Sequence, residues 1–225
     1  MSAARLALAV AQKDLRVEVR GRHGVAAALP FAATLLLSVG MALGPGRRLL
    51  EAAAPALLWI AILFSAVLAS RQSYLVEMED DALEGVVLSP ADRGGVFLGK
   101  LLGVAAQLLL VEAIVLAGVI LLFDVTLRSP GILVPGLVLG TLGLAAVGTL
   151  FGAVAASPPG RSRPSILPLL VLPLSTPVLL AGIRLTELAA SGVGGEAGSW
   201  LGLLAAFDAV VGTIGFLAFD QVLED

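Results

Sequence analysis

Six long apolar runs crowd a chain of only 225 residues, and they limit its fold more than any motif does. Uncharged stretches separate His23 from Arg47, Glu51 from Arg71, Arg128 from Arg161 and Arg163 from Arg184. Residues 101–123 and 197–219 are equally apolar apart from one acid near each centre, Glu112 and Asp208. A bilayer core of about 30 Å is crossed by about 20 apolar helical residues. In hydrocarbon every backbone N–H and C=O must be satisfied within the chain, which favours helices. The expectation is an all-α polytopic membrane protein forming one transmembrane domain over residues 1–225. Its spans are expected near 24–43, 53–70, 100–123, 131–156, 165–182 and 200–219.

Hydrophobic residues make up 58% of the chain, charged residues 14%, and the mean hydropathy is +1.01, which excludes a soluble globular domain and a disordered chain. Cysteine is absent, so disulfides, thiolate metal sites and iron–sulfur ligation within the chain are excluded. The sole histidine, His23, falls at the edge of the first span beside Arg22, and Met41 lies near that span's other end. Such a set is poorly suited to holding haem iron, whose usual axial ligands are His, Cys or Met, and no cofactor or metal is expected on this chain.

Lys and Arg flanking the spans set orientation. With the N-terminus cytoplasmic, Arg5, Lys13, Arg16, Arg20, Arg22, Arg71, Arg93, Lys100, Arg161 and Arg163 lie inside, and Arg47, Arg48, Arg128 and Arg184 outside. Both termini are therefore expected in the cytoplasm of a bacterium, with the chain multi-pass in the inner membrane. A nucleic-acid partner is not expected. The first apolar run follows a charged segment too long for a usual signal n-region, so no cleaved signal is expected. Residues 3–20 place Leu8, Ala11, Leu15 and Val19 at helical spacing, which suits an interfacial helix over residues 1–23 or, the stripe being narrow, a merely solvated N-terminal helix.

Span four contains Gly136, Gly140, Gly143, Gly148 and Gly152, whose small-x-x-x-small spacing predicts close helix packing. Span five contains Pro168, Pro173 and Pro177, each of which removes a backbone donor, so a kinked or broken helix is expected. Gly140, Gly148, Gly152 and the three prolines are the expected packing and hinge positions. Residues 183–199 are apolar enough at Leu185, Leu188 and Val193 for a short re-entrant or interfacial element.

The largest polar connection, residues 71–99, carries Glu77, Glu79, Asp80, Asp81 and Glu84, with Leu83, Gly85 and Pro90 nearby. On a helix, 77, 80, 81 and 84 share an acidic face. That face suits either solvent or docking into a soluble partner through apolar anchors and complementary charge. Gly94-x4-Gly99-Lys100 superficially matches the start of a phosphate-binding loop. However, Leu101 replaces the Ser or Thr that would hold Mg²⁺, and no buried strand precedes it, so ATP must be handled by another chain. Glu112 and Asp208 are costly at mid-membrane unless protonated, hydrated or paired, and suit either interhelical hydrogen bonds or proton transport.

Several segments together resemble the haem exporter B family, the membrane subunit of an ATP-binding-cassette transporter in cytochrome c maturation. They are Ala54-Pro55-Ala56-Leu57-Leu58-Trp59, the run from Glu79 to Pro90, Leu98-Gly99-Lys100, Leu139-Gly140-Thr141, the run from Val171 to Pro177, and the tail from Phe207-Asp208 to Glu224. Asp80-Asp81 makes the docking turn more acidic than a Gly or small polar residue would. The resemblance implies an ABC-2-type exporter transmembrane domain, with two permease copies and a coupling helix at about 74–88 on each. It also implies ATP and Mg²⁺ on a separate ATPase chain, a haem-handling membrane subunit, a periplasmic haem chaperone, and haem or haem-loaded chaperone as the species handled. On this reading the chain is not itself an enzyme. Two other classes fit the residues: a proton-coupled secondary carrier using Glu112 and Asp208, and a non-transporting assembly scaffold.

Overall fold

The computed structural model describes residues 3–21, 23–79, 93–156 and 171–224. Its helices are α1 (Ala3–Gly21), α2 (His23–Leu43), α3 (Arg47–Glu79), α4 (Arg93–Phe123), α5 (Pro130–Ala156), α6 (Thr176–Ser191) and α7 (Ala197–Glu224); there is no strand among the described residues. Five stretches within these helices are long and apolar enough to cross a membrane: Val25–Leu43, Arg47–Tyr74, Gly94–Phe123, Pro130–Val154 and Ala197–Phe219. The chain is thus a multi-pass helical membrane protein. Much of the fifth expected span, including Pro168, lies outside the described residues.

Two regions differ from the sequence reading. The second span was expected to end near residue 70, yet α3 continues to Glu79, and α4 begins at Arg93 rather than near 100. The 71–99 connection is therefore helical at both ends. Helices of 33 and 31 residues are about 50 and 46 Å long, well beyond a core of about 30 Å, so their polar turns project past it.

The second difference is at residues 183–199, where no separate re-entrant element forms. α6 continues to Ser191, with Leu185, Thr186 and Ala189 buried, and Gly192 caps it at φ 78°, its N–H bonding Leu188 O. Arg184 sits on the open face of α6, paired with Glu187 at 2.8 Å, so its charge does not end the helix. The fifth span was expected to be kinked or broken; its regular helix is interrupted at Ser175, which keeps a helical φ/ψ and whose N–H bonds Val171 O at 2.9 Å, with residues 171–174 helical before it and Pro177 in the first turn of α6 after it. Pro177 has no N–H to return to the Pro173 carbonyl.

α3 and α5 form the centre. α3 packs on α2, α4, α5 and α6, and α5 packs on α4, α6 and α7. Leu58, Trp59, Ala61, Leu144, Ala145 and Val147 are fully buried between them. α2 and α7 turn apolar residues such as Leu37, Met41, Val210 and Leu217 outward, as lipid-facing helices do.

The helix ends gather at two poles. Arg47, at the start of α3, pairs with Asp124, just past the end of α4, at 3.1 Å, and the N–H groups of Arg128 and Ser129 bond Ala189 O at the end of α6. At the other pole the start of α4 meets the end of α7, where the Phe97 and Phe219 rings meet at 5.6 Å, tilted by 53°, Gly94 faces Phe216, and Gly215 faces Phe97.

Candidate coupling site and intramembrane polar groups

Asp80, Asp81, Leu83, Glu84, Gly85 and Pro90 lie outside the described residues, whereas Glu77 and Glu79 belong to the last turns of α3. The structure does define how the two ends of this connection are anchored. Lys100, on α4, is 1% exposed, and its ammonium donates to Ser73 O at 3.3 Å and Ser73 Oγ at 3.1 Å. It also sits 4.6 Å from the centre of the Tyr74 ring and 3.6 Å from Asp14 Oδ2 of α1. The Tyr74 hydroxyl in turn donates to Thr149 O of α5 at 2.9 Å. A desolvated ammonium is tolerable only with such partners. Four helices are thereby tied together directly beside the acidic connection.

The glycines of the phosphate-loop look-alike serve helix packing, Gly94 against Phe216 of α7 and Gly99 against α1. Gly95, Gly99 and Gly103 recur every four residues on one face of α4 and form a seat for α1. A Cβ on Gly95 would meet Ala3 O at 3.0 Å, one on Gly99 would meet Val10 Cβ at 2.6 Å and Ala7 O at 2.7 Å, and one on Gly103 would meet Asp14 Cβ at 3.2 Å. α1 is consequently packed on α4 along its length, more than the sequence reading of an interfacial helix implied. Of the expected apolar stripe, Ala11 turns into this seat together with Ala7, whereas Leu8 and Val19 face outward.

Deeper in the bundle, the expected packing glycines of α5 each face a partner. Gly140 lies against the Trp59 ring, Gly148 against Ser70, and Gly152 against Tyr74, all on α3. The Trp59 ring also lies against Gly182 of α6. Its indole N–H donates to Thr186 Oγ1 at 3.0 Å, and that hydroxyl donates to Gly182 O at 2.8 Å. Trp59 and Thr186 were not among the expected site residues. Their pairing spans 127 positions, and no local pattern reveals it.

The two mid-membrane acids are not brought together. Glu112, on α4, is 2% exposed and accepts a hydrogen bond from the Thr141 hydroxyl of α5, while its Oε1 has no partner among the described residues. Asp208, on α7, lies against Gly143 of α5, with both carboxylate oxygens buried and without a partner among the described residues. Residues 141 and 143 are about 200° apart around a helix. The acids thus approach α5 from different sides, with that helix between them.

No cluster of His, Asp or Glu among the described residues could hold a metal ion. Two recesses along α2 and α4 are apolar furrows lined by residues such as Leu36, Leu37, Ile114 and Leu122.

Comparison with known proteins fits this architecture. The model of the family described as "CcmB protein" matches residues 5–224. A heme exporter protein B of Pseudomonas aeruginosa is 34% identical over 172 residues, covering 76% of this chain and 75% of that protein. Proteins of the same name from Paracoccus denitrificans and Bradyrhizobium diazoefficiens are 31% and 29% identical, each over 80% of this chain and over 82% and 80% of their own lengths. A match running from residue 5 to residue 224 of a bundle built this way assigns the chain to the CcmB protein family.

Proposed function

We propose that the chain is the permease subunit of an ATP-driven haem-export complex, with haem or a haem-loaded chaperone as the species handled. Its family membership and the names of its relatives support the haem-export role. ATP hydrolysis, with its Mg²⁺, belongs to a separate ATPase chain, and a second permease copy, a haem-handling membrane subunit and a periplasmic chaperone complete the assembly. The chain sits in the bacterial inner membrane with both termini cytoplasmic, in keeping with its cation distribution.

The observation that carries the coupling mechanism is the Lys100 junction. A partner gripping the acidic segment through Glu79, Asp80, Asp81, Leu83 and Glu84 would pull on the ends of α3 and α4. Those ends are fixed to each other, to α1 and to α5, so the displacement is passed into the bundle instead of being absorbed by a loose loop. Nucleotide state can shift the permease only if the partner binds its two packings with different affinity. The interruption at Ser175 and the glycine contacts of α5 are where the packing can change.

The test is co-purification with the ATPase. Leu83→Ala with Glu84→Lys should abolish capture of the soluble subunit, or stimulation of its ATPase activity, while membrane insertion stays intact. Undiminished capture and stimulation would sink the docking model. Against the carrier alternative stands the separation of Glu112 and Asp208 across α5. Glu112→Gln can still accept the Thr141 hydrogen bond, and transport abolished by that change but surviving nucleotide depletion would restore the carrier reading. ATP hydrolysis that is absent, or that proceeds without any effect of mutations in residues 77–90, would favour the scaffold.

A further inference from the structure

α1 divides its charges by face. At 100° per residue, Ala7, Ala11, Asp14 and Glu18 share the side toward α4 and α2. Asp14 is 3.6 Å from buried Lys100, and Glu18 accepts the Val25 N–H at 2.9 Å. The opposite side presents Arg5, Gln12, Arg16 and Arg20, all exposed. Both acids of the helix are thus turned inward, and the outward charge is cationic. Along one edge of that outward face stand Leu8 and Val19, 57% and 72% exposed. An ordinary solvated helix face has no reason to pair an apolar edge with a cationic one.

The seat fixes where this face lies. Gly95, Gly99 and Gly103 occupy the first three turns of α4, a helix about 46 Å long crossing a core of about 30 Å, so α1 rides where α4 leaves the hydrocarbon. A single residue then joins α1 to α2, whose Val25–Leu43 stretch is apolar enough to span the membrane. A helix held there, with apolar and cationic edges, has the form of one that dips its apolar side chains between lipids and meets their phosphates with its cations.

We infer that the outward face of α1 is a binding surface for anionic phospholipid, with Arg5, Arg16 and Arg20 contacting headgroup phosphates and Leu8 and Val19 seated at the acyl boundary. The surface is independent of cargo and of the ATPase, and holds whether or not the coupling mechanism does. Because α1 is clamped to α4 beside the Lys100 junction, lipid held here sets the position of the helix from which the acidic connection emerges.

The test uses the full chain in neutral detergent, with native mass spectrometry of equimolar phosphatidylglycerol and phosphatidylcholine carrying identical acyl chains. A cation at an anionic surface contributes roughly fivefold in affinity. The wild type should retain phosphatidylglycerol at least about fivefold over phosphatidylcholine, and millimolar inorganic phosphate should not displace it. The triple variant Arg5→Gln, Arg16→Gln, Arg20→Gln should fall to within about twofold, and the matching Arg→Lys triple should keep the preference, which separates loss of charge from loss of fold. Equal preference in the Gln triple and the wild type, a preference lost in the Lys triple, or displacement by phosphate would each overturn the inference.

Discussion

Trp59 has no exposed surface, and glycines on two different helices lie flat against its ring. Any Cβ on Gly140 or Gly182 would occupy space the indole already fills, and the buried ring has nowhere to move. Gly140→Val should therefore destabilise the bundle by about 1–3 kcal/mol through overpacking. It would be read as a lower temperature for loss of the monodisperse peak on size exclusion in detergent. Trp59→Phe keeps most of the packing but forfeits the bond to Thr186, and should cost about 1 kcal/mol plus the lost volume. A Gly140→Val protein as heat-stable as the wild type would mean that the ring is not confined as described. Lys100 and Asp14 pose a different residue-scale problem. Asp14→Ala leaves a buried ammonium with one fewer counter-charge and should cost about 3 kcal/mol, while adding Lys100→Met should recover much of the loss. Additive single-site losses in that cycle would show that the two side chains do not depend on each other.

Among the elements, α1 is the one whose role changes most between sequence and structure. Its helical period is plain in the sequence, but whether a narrow apolar stripe faces lipid, solvent or another helix is not a local property. Gly99 was legible only as part of a spacing that mimics a phosphate loop, and Gly95 and Gly103 carried no signal; their partner lies about 90 residues earlier in the chain. Gly99→Leu should lift α1 from its seat, because the new side chain meets the Ala7 carbonyl, which cannot turn away as a side chain can. Trypsin should then cut after Arg16 and Arg20 at least about tenfold faster while the spans resist, since cleavage needs local opening of the helix. Five of the six expected apolar spans were readable, because a bilayer imposes a length and a composition on each. Their polar extensions were not: Arg71 and Ser73, or Arg184 and Glu187, look like boundaries, yet Arg71, Arg184 and Glu187 fit open faces of continuing helices and Ser73 receives Lys100. The interruption near Ser175 was foreseeable because proline acts on its own backbone, whereas the partners of Trp59, Glu112 and Asp208 depend on how distant helices are brought together.

At the scale of the whole molecule, successive helix ends alternate between the two poles. One pole gathers Arg47, Asp124 and Arg128. The other gathers α1, the Lys100 junction and the paired phenylalanines of α4 and α7. Cations are concentrated at the second pole, where Arg5, Lys13, Arg16, Arg20 and Lys100 all lie, and this favours its facing the cytoplasm. Because the chain has no cysteine, single introduced cysteines report on orientation without background. Cysteines replacing Gly46 and Gly195, in the turn before α3 and the loop before α7, should react in intact cells with a maleimide that cannot cross the inner membrane. Cysteines replacing Arg5 and Glu84 should react only after permeabilisation. The docking model requires the last of these: were residue 84 labelled from outside, no cytoplasmic ATPase could reach the acidic segment, however well the Lys100 junction anchors it. Labelling of residues 46 and 5 from the same side would contradict the bundle itself, since α2 runs between them along the length of the core.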